Sequence, residues 1–127
     1  MTLHKQNGTL AERCPIRDVL DRLGDRWTML VLMELKQATL RFSVIKKQIP
    51  DISQRMLAQT LRQLEFDGLV ARKLYPTIPP KVEYSLTPLG VSMLAPVGQL
   101  ISWADDNHDA VRAARASYVA PLAQMAL

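Results

Sequence analysis

At Gly68 the spacing of apolar residues changes, and that change limits the folds open to this chain. Upstream, apolar residues recur every three or four positions, as in Leu57, Leu61 and Leu64, which is the period of a helix with one buried face. Downstream, Leu69–Tyr75 and Lys81–Leu86 alternate with the period of a strand. Between these two stretches lies Pro76-Thr77-Ile78-Pro79-Pro80. Proline has no amide to donate to a ladder, so this segment cannot continue either strand. The two strands therefore close as a hairpin around a proline-stiffened loop.

Four helices are expected before the hairpin. Pro15 can occupy the first position of a helix ended by Gly24, with Ile16, Val19, Leu20 and Leu23 as its apolar face. Asp25 can cap a second helix, Arg26 to Lys36, which is apolar nearly all round and so expected at the centre of the domain. Thr39 to Phe42 is a short extended piece, and Ser43 to Gln48 a short third helix stopped before Pro50. Ser53 caps a fourth helix that runs to Phe66 and is stopped by Gly68.

Helix, turn, helix and hairpin, in that order, make a winged helix-turn-helix. After it, Pro88 opens a fifth helix carrying Leu89, Met93, Leu94, Val97, Leu100, Ile101 and Ala104 at helical spacing, with a bend expected at Pro96. Asp109 is placed as the cap of a last helix through Tyr118. The fold class is thus mostly α with a small β-hairpin. Residues 1–12 are expected as an arm, and 13–127 as a single domain whose terminal helices lie at 13–24 and 87–120.

The fourth helix carries the clearest functional signal. Opposite its leucine stripe stand Arg55, Gln59 and Arg62, which are long and include no acid. Arginine can fork onto a guanine edge or a phosphate, and glutamine can pair both edge atoms of adenine. Charge agrees with this. The chain nets +4, but Lys36 to Lys81 holds nine basic residues against three acidic ones, a local net of +6. A basic centre between flanks that net −2 points to a polyanion. Ser53 and Gln54, at the positive end of the helix, are placed near phosphate. Arg41, Lys46 and Lys47 are placed as phosphate contacts that set affinity and salt dependence and not sequence choice. Arg72 and Lys73 fall on opposite faces of their strand, so the two are not expected to meet DNA together, and Lys81 beside the rigid loop is preferred.

Other function classes find less support. No run is long and apolar enough for a bilayer; the longest, Trp27 to Leu35, is interrupted by Thr28 and Glu34. The polar start of the chain lacks the apolar core of a signal peptide, so a cytoplasmic location is expected. His4 and His108 do not suggest a metal site, no nucleophile–base pair or phosphate loop is seen, and neither an enzyme nor a cofactor is expected. One cysteine, Cys14, excludes an internal disulfide. It sits at a helix start between Arg13 and Arg17, where thiolate is favoured, although Glu12 opposes this. The fifth helix is too long to bury its apolar side on one small domain. Val97, Leu100, Ile101, Trp103 and Ala104 are therefore placed in a two-fold interface with a second copy.

Several separated segments resemble the HxlR-type family of bacterial winged-helix transcription regulators, relatives of the MarR type. They are Cys14-Pro15, Gly24-Asp25-Arg26-Trp27, Leu40-Arg41-Phe42, Ile52-Ser53-Gln54-Arg55-Met56-Leu57, Leu64-Glu65-Phe66-Asp67-Gly68-Leu69-Val70, and Tyr75-Pro76 with Pro79-Pro80-Lys81-Val82-Glu83-Tyr84-Ser85-Leu86-Thr87. The resemblance implies a homodimer on double-stranded DNA, with the fourth helix in the major groove and the wing, Tyr75–Pro80 with Lys81, on the neighbouring backbone or minor groove. It implies that the terminal helices form the dimer, and that a cysteine at the position of Cys14 can sense oxidants or electrophiles. The expected function is a sequence-specific regulator on a pseudo-palindromic operator, with repression as the default and a small-molecule or oxidant signal as input. The alternative from another class is a winged-helix module that binds protein and not DNA.

Overall fold

The computed structural model describes residues 15–121. Cys14 and the arm expected over residues 1–12 lie outside them. Two compact units divide between Leu94 and Ala95.

In the first unit, α1 spans Pro15–Leu23 and α2 spans Arg26–Glu34. Asp25 caps α2 by accepting the Trp27 amide at 2.9 Å. The Arg26 guanidinium lies 4.5 Å from the centre of the Trp27 ring. Helix α2 stops at Glu34, short of the expected Lys36, because Leu35 and Lys36 close it with tight turns onto Val31 and Met33. Its Thr28, Val31 and Leu32 are buried, so it is the central helix its composition implies. Next come β1 (Leu40–Arg41), α3 (Phe42–Gln48) and α4 (Gln54–Phe66). Ser53 caps α4, its hydroxyl accepting the Met56 amide at 3.0 Å. The expected leucine stripe is the buried one: Leu57, Leu61 and Leu64, joined by Thr60, pack with Val31, Leu32, Ile45, Ile49 and Ile52 as the core.

At the end of α4, Gly68 has φ +78, a left-handed conformation that glycine adopts without a Cβ penalty. The chain then enters β2 (Val70–Tyr75), turns, and returns as β3 (Lys81–Leu86), closing the expected hairpin with Val70 opposite Leu86 and Tyr75 opposite Lys81. The hairpin is part of a three-stranded antiparallel sheet in the order β1-β3-β2. The extended piece at Leu40–Arg41 pairs with β3, Leu40 opposite Tyr84 and Arg41 opposite Glu83. Spacing along one strand carries no information about such a partner.

A short helix, α5 (Pro88–Ser92), follows, capped by the Thr87 hydroxyl, which accepts the Gly90 amide at 3.1 Å. The same hydroxyl donates to the Gly68 carbonyl at 2.6 Å and so ties the sheet exit back to the end of α4.

The second unit is built on one helix, α6, spanning Leu94–Ser117 and entering the unit at Ala95. Two expectations are corrected here. The break falls at Met93, not at Pro96, because Pro96 occupies the first turn of α6, where no intrahelical amide partner is lost. And no separate last helix begins at Asp109; α6 runs through it. Asp109 favours a cap only where the backbone is free to leave the helix, and the preceding turns hold it in.

Candidate nucleic-acid interface

The helix-turn-helix is α3, the turn 49–53, and α4. The turn is held by the Ile52 amide donating to the Ile49 carbonyl at 3.2 Å, with both side chains buried. Burying the leucine stripe of α4 forces its other face outward, and Arg55, Gln59 and Arg62 are all exposed. Among the described residues none of the three joins an ion pair. Their spacing of four and then three residues covers about 10 Å of helix axis, or roughly three base pairs of a duplex. Ser53 and Gln54 are exposed at the start of the helix, and Ser53 has its hydroxyl engaged in the cap.

The flanking cations differ from one another. Lys47 and Arg41 are exposed. The Lys46 ammonium donates to the Pro50 carbonyl at 3.2 Å and so braces the turn. In the wing, Lys81 lies 3.7 Å from the Glu83 carboxylate and 5.1 Å from the centre of the Tyr75 ring. Lys73 approaches the same ring to 4.9 Å. Two ammonium groups thus flank one aromatic ring at the base of the wing, which holds them near each other despite their like charge. The loop beyond, Pro76 to Pro80, is exposed throughout, with Ile78 at its tip fully open to solvent. It contains a cis peptide at Ile78–Pro79 and is braced by the Thr77 hydroxyl donating to the Pro79 carbonyl at 2.8 Å.

Strand alternation places Arg72 and Lys73 on opposite faces, as expected. Sequence spacing did not place the neighbourhood of Arg72. It lines a cleft of about 350 Å³ with Ala58, Arg62, Glu65 and Tyr84. The available signal was that Arg72 shares a face with Val70, which is buried.

The residues placed in a dimer interface are not equally exposed. Val97 is 4% exposed within a single chain, whereas Leu100, Ile101 and Trp103 are 54%, 37% and 58% exposed, and Ala104 is exposed as well. On α1, Val19 and Leu20 are also open, at 49% and 55%. Among the described residues no group of acids, histidines or cysteines could hold a metal, and no helix is long and apolar enough to cross a membrane.

These features define a winged helix-turn-helix regulator. The model of the HxlR-like helix-turn-helix family matches residues 22–112, and the chain belongs to that family. It is 44% identical over 111 residues to YtfH of Escherichia coli, an HTH-type transcriptional regulator, a match covering 87% of this chain and 88% of that one. Among solved structures, the transcriptional regulator ytfH from Salmonella typhimurium is 43% identical, with a TM-score of 0.75 over 87% of this chain and 98% of that one. The redox regulator HypR in its oxidized form is 39% identical, with a TM-score of 0.69 over 74% of this chain and 97% of that one. The MarR-like fold expected from the resemblance is therefore the fold of this family.

Proposed function

We propose that the chain acts as a homodimer that binds a pseudo-palindromic duplex operator and represses the promoter it occupies. The observation that carries this reading is the outward face of α4, where Arg55, Gln59 and Arg62 stand exposed and without ion pairs among the described residues while the opposite face builds the core. A major groove about 12 Å wide admits such a helix, and these side-chain types match base edges. Arg41, Lys46 and Lys47 set the register on phosphate, Ser53 and Gln54 contribute at the helix start, and Lys81 with the Tyr75–Pro80 loop follows the adjacent backbone.

The dimer rests on Leu100, Ile101, Trp103 and Ala104 of α6, with Val97 buried on the same helix. Large apolar side chains this exposed on one helix call for a partner. Two recognition helices in such a dimer meet half-sites about 34–36 Å apart or a multiple of that. Replacing Ile101 and Trp103 together by aspartate is expected to give monomers by sedimentation and to lower operator affinity. A variant that stays dimeric would remove α6 from the interface.

An oxidant is the favoured input, because the chain shares its fold and 39% of the aligned residues with a redox regulator and has one cysteine to use. Two Cys14 thiols of a dimer would each lose an electron and a proton to the oxidant and form one intersubunit disulfide, or each would be capped by a small thiol. The test is selection of genomic DNA fragments by the purified protein, reduced and oxidant-treated, with Cys14→Ser alongside. Enrichment of one two-fold-symmetric site is expected, with loss on oxidation for the parent and not for Cys14→Ser. Absence of enrichment above salt-sensitive background would overturn the operator reading. A Cys14→Ser protein that still releases DNA on oxidation would overturn the sensor.

A further inference from the structure

The cleft between α4 and the wing holds two arginines that come from different elements. Arg62 projects from α4 and Arg72 from β2, and together with Ala58, Glu65 and Tyr84 they line an open depression of about 350 Å³. On α4, Ala58, Arg62 and Glu65 follow at four and three residues, so they form a stripe of their own beside Arg55, Gln59 and Arg62. Arg62 belongs to both stripes. The small side chain of Ala58 leaves space where a longer one would fill the cleft. On the sheet, Arg72 is registered opposite Tyr84.

The charge in this arrangement suits an anion. Neither Arg62 nor Arg72 forms an ion pair among the described residues, although Glu65 lines the same cleft. Two guanidiniums and one carboxylate leave the cleft with one net positive charge. Guanidinium presents a planar fork of donors that matches phosphate oxygens, and two such forks can share one phosphate. A duplex seated on the Arg55–Gln59–Arg62 face presents a wall of phosphates along each side of the groove that α4 enters.

We propose that this cleft holds one backbone phosphate of the bound duplex, shared between Arg62 and Arg72, so that a wing-strand residue is part of the DNA interface and fixes the wing against the recognition helix. The proposal rests on the DNA-binding reading above, and because Arg72 lies on the hairpin face opposite Lys73 and Lys81, it assigns Arg72 a phosphate at α4 that is separate from the backbone met by Lys81 beside the loop. Glu65 opposes the phosphate and confines it to the arginine side of the cleft.

The test is titration of a random-sequence duplex over a series of salt concentrations with the parent, Arg62→Ala, Arg72→Ala, the double variant and Arg72→Lys. Phosphate contacts are sequence-independent, so no operator is needed. Arg72→Ala is expected to bind about tenfold more weakly, the order for one charge-assisted hydrogen bond, with its melting temperature unchanged. Arg72→Lys should recover part of the affinity. The salt slope of the double variant should be shallower than the parent's by about 0.9, the change for one phosphate, and not by about 1.8, the change for two. A fall of about 1.8 would mean separate phosphates and would overturn the sharing. Parent-like affinity and slope in Arg72→Ala would remove Arg72 from the interface while leaving the DNA reading intact. Weaker binding of Arg72→Ala with a lowered melting temperature, and a double variant whose slope equals the parent's, would assign Arg72 a structural role and overturn the shared phosphate. A parent protein that binds no duplex would overturn the DNA reading and the shared phosphate with it.

Discussion

Replacing Arg55 and Gln59 together by alanine is expected to collapse the preference for operator over unrelated DNA while leaving the fold intact. Both side chains are exposed on α4. Neither contributes to the core, which Leu57, Thr60, Leu61 and Leu64 build from the other face. Their removal should therefore leave the melting temperature almost unaltered. Each bidentate contact to a base edge contributes roughly 1–3 kcal/mol of discrimination, so two contacts amount to about 2–6 kcal/mol in the operator preference. Binding to a random duplex should change less, because phosphate contacts from Arg41, Lys47 and the cleft at Arg62 remain. Competition of labelled operator against operator and random duplex measures both quantities. Equal losses on the two DNAs would show that Arg55 and Gln59 hold phosphate and do not read bases.

The second large effect is on stability. Gly90→Ala is expected to destabilise the protein, whereas Gly98→Ala should not. Gly90 is buried in the first turn of α5, and a Cβ there would come within 2.1 Å of the Leu69 carbonyl oxygen and 3.2 Å of Leu86 Cδ2. The obstacle is backbone, at the junction where α4 passes into β2, and that carbonyl also accepts the Thr87 amide at 3.1 Å. It cannot swing aside as a side chain can. Overpacking of this kind costs about 1–3 kcal/mol or more, and a lowering of the melting temperature by roughly 5–15 °C follows. Gly98 lies inside α6, and a methyl group added to it would meet nothing within 4 Å. There alanine gains helix propensity of up to about 1 kcal/mol. Thermal unfolding of the two variants should move in opposite directions. A Gly90→Ala protein as stable as the parent would mean that α5 does not sit this tightly on Leu69.

Displacement of α5 also bears on the proposed interface. Thr87 links it to Gly68 at the end of α4. Gly90→Ala is therefore expected to weaken DNA binding in proportion to its effect on stability, without altering which site is chosen.

Most of the helix-turn-helix was legible along the chain because its determinants are local. Ser53 caps α4 through its hydroxyl, Gly68 ends it because it has no Cβ to oppose a positive φ, and the leucine stripe selects the buried face. The outward position of Arg55, Gln59 and Arg62 then follows from the 3.6-residue period alone. The two faces of β2 were legible for the same reason, since alternation at period two puts Val70 on one face and Lys73 on the other. Helix ends were less legible. Pro96 carries the same φ restriction at the first turn of a helix as in its middle. Only the position of the break at Met93 decides whether it bends the helix or begins one. Asp109 likewise can cap a helix or ride within one, and its own side chain does not settle which.

By itself, then, the sequence determined the element order as far as the hairpin, the buried stripe of α4, the exposed cationic face opposite it and the proline-stiffened wing, because each depends on residues within a turn or two of one another. The tertiary structure alone decided that Leu40–Arg41 is the third strand, that Gly90 meets the Leu69 carbonyl, and that Arg72 shares a cleft with Arg62. These contacts join residues ten to more than forty positions apart, where no periodicity reaches and only strand pairing and the packing of helices on the sheet bring the partners together.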